Sequence, residues 1–176
     1  QRPILIGHSM GGRNAITYAS EHPGQLAKLV IVDMAPEISP RMVANSADNP
    51  PDPGVFDSEA EAVAFLQKQA QYPSYETLQH AIHHSLKARK DGRLVWKWDP
   101  SMRTRARAAE PDMWPMLENI DCATLMVRGK DSPAIDPEVA ERMIQVLPNG
   151  KLVEIERAEH SVHEDNPKAF NAAVLD

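Results

Sequence analysis

Gly7-His8-Ser9-Met10-Gly11 has the spacing G-x-S-x-G, and it stands directly after a short apolar run and before a helical pattern. In that context the spacing predicts a sharp strand-to-helix turn, with the serine on strained backbone and its hydroxyl pushed outward. The flanking glycines are expected to leave room for the strand and the helix to approach one another. The start of the helix would supply oriented N–H groups, and the backbone N–H of Met10 is expected to be one donor to an oxyanion that develops beside Ser9. A serine so placed suits nucleophilic attack on an acyl carbon, provided that a base removes its proton.

The base should be a histidine later in the chain, oriented by a carboxylate. His160 stands just after the last apolar run, in Arg157-Ala158-Glu159-His160-Ser161-Val162-His163, and is the first choice. His163 is expected to enter a helical turn and pack against the chain, and His8 to line the turn beside Ser9. Two carboxylates lie at strand ends: Asp33 closes Leu29-Val30-Ile31-Val32, and Asp131 follows Met126-Val127-Arg128-Gly129-Lys130. Either could hold the imidazole, and either could cap a turn instead. His80, His83 and His84 put two imidazoles at i and i+4, a metal-ligand spacing, but no carboxylate or cysteine partner completes the set in the sequence. An exposed polar helix face is the expectation there, with no metal.

Four runs have the character of parallel strands: Pro3 to Gly7, Lys28 to Asp33, Thr124 to Arg128 and Lys151 to Ile155. The first is expected to be buried on both faces. Helical patterns run over Arg13 to Glu21, stopped by His22-Pro23-Gly24, over Pro137 to Leu147 with Asp136 as N-cap, and from Asn166-Pro167 onward. Between Met34 and about Leu117 strand runs disappear. A polar, Pro-rich stretch from Ala44 to Gly54 leads into helical patterns over Glu59 to Gln71 and Tyr75 to Arg89, then a short extended link at Leu94 to Trp98 and Asp99-Pro100. The expected organisation is an α/β core from 1–36 and 118–176, with 37–117 inserted as a helical cap.

Composition narrows the classes of function. With 176 residues, 42% hydrophobic and 25% charged, one ordinary core can be buried without disulfides. The net charge of −6 offers no basic surface for nucleic acid. The single cysteine, Cys122, excludes an internal disulfide and is expected to be a buried small hydrophobe. No apolar run reaches the length of a membrane span, and a cytoplasmic location is the expectation.

These residues resemble the α/β-hydrolase superfamily, and within it the YbfF/ABHD-like esterases and thioesterases. The marks are Gly7-His8-Ser9-Met10-Gly11-Gly12, Val32-Asp33-Met34-Ala35-Pro36, Val127-Arg128-Gly129-Lys130-Asp131-Ser132-Pro133 and Glu159-His160-Ser161-Val162-His163-Glu164. The resemblance implies a partial α/β-hydrolase fold: a mostly parallel sheet with flanking helices and a helical cap insertion. Many superfamily members carry the acid three residues after the glycine that ends the penultimate strand, where this chain has Ser132. Members with serine there resemble enzymes that draw the carboxylate from the preceding strand end, which implies Asp33, with Asp131 second.

The resemblance also implies about four further strands ahead of the serine, and with them a loop carrying the second oxyanion donor. This stretch alone is therefore expected to be nearly inactive, and its first strand to be an aggregation-prone edge. The expected activity is that of a serine hydrolase cleaving a small-molecule carboxylic ester or thioester through an acyl-enzyme, without a cofactor, the cap selecting the acyl or alcohol group. The alternatives are carbon–carbon bond hydrolysis with the same Ser, His and Asp, and a non-catalytic binding module of the same fold.

Overall fold

The computed structural model describes residues 1–48, 52–99 and 112–175. They form two compact units, one of residues 1–47 and 111–176 and the other of residues 48–110. Residues 37–47 and 112–117, expected in the insertion, thus group with the first unit. Pro100 and the centre of the Pro-rich stretch, 49–51, lie outside the described residues. Among the described residues no helix is long and apolar enough to cross a membrane.

In the first unit the chain runs through β1 (Ile4–His8), α1 (Met10–Glu21), β2 (Lys28–Val32) and α2 (Pro40–Asp48). In the second it forms β3 (Val55–Phe56), α3 (Glu59–Gln67), α4 (Tyr75–Ser85), β4 (Leu86–Ala88) and β5 (Leu94–Trp96). It then returns as α5 (Trp114–Glu118), β6 (Ala123–Gly129), α6 (Pro137–Val146), β7 (Gly150–Ile155), α7 (Val162–Asp165) and α8 (Pro167–Leu175). The strands of the first unit make one parallel sheet in the order β1-β2-β6-β7.

Strand alternation explains how this sheet is covered. Leu29 and Ile31 of β2 join Ala15, Ile16 and Ala19 of α1, Leu117 of α5, and Ala140 and Met143 of α6 in one core. Val30 and Val32 point the other way and join Val127, Ile155 and Val162, with Phe170 and Ala173 of α8 packed against them. A strand apolar at every position is what a sheet covered on both faces requires. The first strand departs from that expectation: Ile4 and Ile6 are 57% and 50% exposed, while Leu5 packs on the core. The reason is position, since β1 pairs only with β2 among the described strands. Cys122 is buried in the first core as a free thiol, and burial pushes its pKa up.

The second unit keeps the extended character expected at Leu94 to Trp98 but has more strand than a helical cap with one extended link. The helical pattern from Tyr75 stops at Ser85, and Leu86–Ala88 then pairs antiparallel with Leu94–Trp96 around a turn holding Gly92 at φ 83°. β5 also pairs with β3, giving a three-stranded sheet β3-β5-β4. Leu86 and Trp96 are drawn into a core with Phe56, Ala62, Val63, Leu78 and Ile82, and this burial outweighs the helical preference that runs to Arg89 in the sequence. α2 is likewise a helix that the polar composition around Ala44 conceals.

Asp136 occupies the N-cap position of α6, but its side chain does not cap the helix. Its carboxylate instead accepts from the Ser39 hydroxyl at 3.0 Å and lies 3.7 Å from Arg41.

Two glycines set the approach of strands to loops. A Cβ at Gly7 would lie 2.4 Å from the carbonyl oxygen of Gly11, and one at Gly129 would lie 2.1 Å from that of Glu159 and 2.6 Å from that of Ala158. At Gly11 a Cβ would meet no described atom within 4 Å, so the close approach at the turn is made by Gly7 and by Gly12, whose Cβ would meet Met34 at 2.9 Å. Gly129→Ala is expected to cost at least about 1–3 kcal/mol, because backbone cannot yield as a side chain does. Chemical denaturation of the variant and its parent measures that loss.

Candidate active site

Ser9, Asp33 and His160 each follow the carboxyl end of a strand of the parallel sheet: β1, β2 and β7. That end of an open α/β sheet is where loops converge to form ligand sites. Ser9 has φ 52° and ψ −119°, a conformation rarely adopted by residues other than glycine, so the strain expected of the turn is present. It is held by the Ser9 N–H donating to Val32 O at 3.1 Å and by Arg13 N–H donating to Ser9 O at 3.1 Å. The first bond ties the turn to β2, and the second begins α1.

Asp33 also has positive φ, 46°, and is fully buried. Its N–H continues the sheet by donating to Val127 O at 2.8 Å. A buried carboxylate is costly unless donors surround it. Three do so: the N–H of Gly129 reaches Oδ1 at 3.1 Å, the hydroxyl of Ser132 reaches Oδ2 at 2.6 Å, and Nδ1 of His160 reaches Oδ2 at 2.7 Å. A carboxylate only accepts, so His160 Nδ1 is the donor, and in the neutral ring Nε2 then keeps its lone pair. That Nε2 lies 2.9 Å from Ser9 Oγ, placed to accept the serine proton.

The structure therefore brings together Ser9, His160 and Asp33. Asp131, the other carboxylate considered, is used differently: its N–H donates to Ala158 O at 3.0 Å in the turn after β6, and the carboxylate that meets His160 is that of Asp33. Met10 is the first residue of α1, so its N–H is among those without an acceptor inside the helix.

His163 lies in α7, with its ring centroid 4.9 Å from that of His8 and 5.9 Å from that of Phe170. His83 Nδ1 meets Glu59 Oε1 at 3.0 Å, and His80 and His84 pack ring against ring at 4.5 Å. Among the described residues no group of three or more His, Cys, Asp or Glu side chains is placed to hold a metal.

Ser132 is the partner that sequence reasoning left without a role. Its hydroxyl donates to Asp33 while accepting from Ala134 N–H at 3.1 Å, so it links the carboxylate to the loop between β6 and α6. That loop is anchored by Arg128, fully buried, whose Nε donates to Ile135 O at 2.9 Å and whose guanidinium pairs with Glu154 at 2.6 Å. The signal was present, since Ser132 stands where many relatives carry an acid, but the sequence does not reveal which side chain the hydroxyl meets. Ser132→Ala is expected to lower stability by about 1.5–3 kcal/mol, the cost of removing a hydrogen bond to a buried charge. Urea denaturation near neutral pH measures it.

Burial holds the pKa of His8 below the ordinary 6.5, with His160 and His163 acting in the same direction and the His160 carbonyl and Asp33 opposing. On acidification the unfolded chain then takes up this proton before the folded one does. The contribution of a neutral His8 is fully present above 6.5 and is lost as pH falls below it. The denaturation midpoint is therefore expected to drop on going from pH 8 to 5, and to drop less in His8→Gln.

The family model described as "Alpha/beta hydrolase family" matches residues 1–173. Among curated proteins, the chain is 25% identical over 174 residues to esterase Rv0045c of Mycobacterium tuberculosis, covering 95% of this chain and 57% of that protein. It is 26% identical over 191 residues to a 2-hydroxy-6-oxononadienedioate/2-hydroxy-6-oxononatrienedioate hydrolase of Cupriavidus pinatubonensis, covering 100% of this chain and 62% of that one. Among solved structures, that of E-2-(acetamidomethylene)succinate hydrolase superposes with a TM-score of 0.84 at 23% identity, over 99% of this chain and 65% of the other, a likeness of fold. The chain thus spans less than two thirds of the length of each of these proteins.

Proposed function

The chain belongs to the alpha/beta hydrolase family, and from that premise we propose that the protein hydrolyses a carboxylic ester or thioester through an acyl-enzyme, with Ser9 as nucleophile, His160 as base and Asp33 as the orienting acid. The observation that carries this reading is the unbroken relay from Ser9 Oγ to His160 Nε2 at 2.9 Å and from His160 Nδ1 to Asp33 Oδ2 at 2.7 Å. As Ser9 Oγ attacks the acyl carbon, His160 takes its proton, and the buried carboxylate of Asp33 stabilises the imidazolium. The Met10 N–H stabilises the developing oxyanion. His160 then returns the proton to the departing alcohol or thiol, and the acyl group stays on Ser9. Water, deprotonated by the same imidazole, attacks the acyl carbon; the free acid leaves and the serine recovers its proton. No cofactor enters these steps.

A second reading, hydrolysis of a carbon–carbon bond in a dicarbonyl compound, is favoured by the relative from Cupriavidus pinatubonensis, named as a hydrolase of 2-hydroxy-6-oxononadienedioate. The same three side chains would serve, and the products differ: an acid and an alcohol or thiol in the first case, an acid and a carbon fragment in the second.

The test is labelling of the full-length protein with a fluorophosphonate probe. Label is expected on the parent and absent from Ser9→Ala. Asp33→Asn is expected to lower kcat by about 10⁴-fold through the wrong imidazole tautomer, while Asp131→Asn leaves kcat near the parent value. A folded parent that takes no label would overturn the reading in favour of a binding module. Product analysis on acyl esters, thioesters and dicarbonyl compounds then separates the two hydrolytic readings.

A further inference from the structure

The side chain of His8 has no part in the proton relay, yet it lies between two other imidazoles. Its ring centroid is 4.8 Å from that of His160 and 4.9 Å from that of His163. Its Nε2 lies 2.8 Å from the backbone carbonyl oxygen of His160. A carbonyl only accepts, so Nε2 carries the proton and donates.

The end of β1 and the turn after it therefore hold His160 at two points. Ser9 meets the ring at Nε2, and the adjacent residue, His8, meets the main chain. These contacts span β1 and the loop after β7, which stand at opposite ends of the described sheet order β1-β2-β6-β7. The same loop is tied from the other side by Glu159 N–H, which donates to Asp165 Oδ2 at 2.7 Å in α7.

Resting on the assignment of Ser9 and His160 above, we propose that His8 is a positioning residue for proton transfer: its Nε2–H fixes the main chain of His160, and so the distance between base and nucleophile. Loop residues are the mobile members of such sites, and a displacement of about 1 Å at the reacting atoms can cost about a hundredfold in rate. A hydrogen bond from the residue next to the nucleophile couples the two positions directly, so that a shift of the turn carries the base with it.

The side chain type fits this task. Burial favours the uncharged form of His8, which supplies an N–H without a positive charge. A lysine or arginine there would place a fixed charge beside the imidazolium that forms on His160, with His163 close by and Asp33 the facing carboxylate, and would oppose the step.

The experiment compares His8→Phe and His8→Gln with the parent in the full-length protein, by kcat and KM on an ester and by the rate of fluorophosphonate labelling. Phenylalanine keeps a ring against His160 and His163 but donates nothing; glutamine loses the ring but carries an N–H at a reach close to that of Nε2. Folded His8→Phe is expected to lose about 10- to 100-fold in both kcat and labelling rate, with KM little changed, because only the alignment of reacting groups is disturbed. His8→Gln is expected to recover most of both rates. If His8→Phe does not fold, His8→Leu takes its place as the donorless variant. A folded donorless variant that labels as fast as the parent overturns the proposal, as does a glutamine variant as slow as the donorless one. An unlabelled parent fails earlier and differently, removing the assignment of Ser9 and this proposal with it.

Discussion

The buried carboxylate of Asp33 is the constraint around which this end of the molecule is arranged. A charge removed from water is tolerated only where donors converge on it, and here they come from three separate parts of the chain: Gly129 at the end of β6, Ser132 in the loop that follows, and His160 after β7. Satisfying that one group draws the carboxyl ends of β2, β6 and β7 into a common geometry. The third donor is the imidazole that faces Ser9, so the bond that satisfies the buried carboxylate also orients the ring of His160 toward the serine hydroxyl.

The surrounding packing serves the same end. Gly129 has no side chain because the carbonyls of Ala158 and Glu159 pass where a Cβ would be, and this approach brings the His160 loop down onto the end of β6. Arg128 spends its buried guanidinium on Ile135 O and Glu154, which steadies the loop holding Ser132. On the other side, strain is stored in the backbone of Ser9 and Asp33, both at positive φ at strand ends. Such strain persists where surrounding hydrogen bonds over-determine it, and both residues have their N–H groups committed to the neighbouring strand.

The two units differ in what their folding rests on. In the first, α1, α5 and α6 cover one face of a parallel sheet and α7 and α8 the other, and the rigid element ends at the carboxyl edge hold the candidate site. The second has its own small core around Phe56, Ile82 and Trp96, with Phe56 and Trp96 meeting edge to face at 5.4 Å between ring centroids. Leu86, which could have extended α4, instead pairs with Trp96, and both are buried in that core.

Some of this was legible in the residues alone, because it depends on neighbours in sequence. The serine turn, the four strands of the parallel sheet and the helices after β1 and β6 are local patterns: a glycine-flanked serine, apolar runs, and apolar residues at helical spacing closed by Pro and Gly. His160 was accessible for a similar reason, since it stands in the short loop after the last strand. Which of Asp33 and Asp131 meets His160 was not settled by their own surroundings, as both lie at strand ends; the contact spans 127 positions of chain. The hydrogen bonds of Ser132 to Asp33 and of His8 to the His160 carbonyl likewise span 99 and 152 positions. Leu94–Trp96 was legible as an extended segment, but its partners β3 and β4 were not, because strand pairing and not local propensity decides them; α2 was hidden by its polar composition. Sequence by itself determined the strands of the parallel sheet, the helices beside them and the candidate side chains; only the tertiary structure decided which of those side chains meet, since that is set by how strand ends converge around a buried carboxylate.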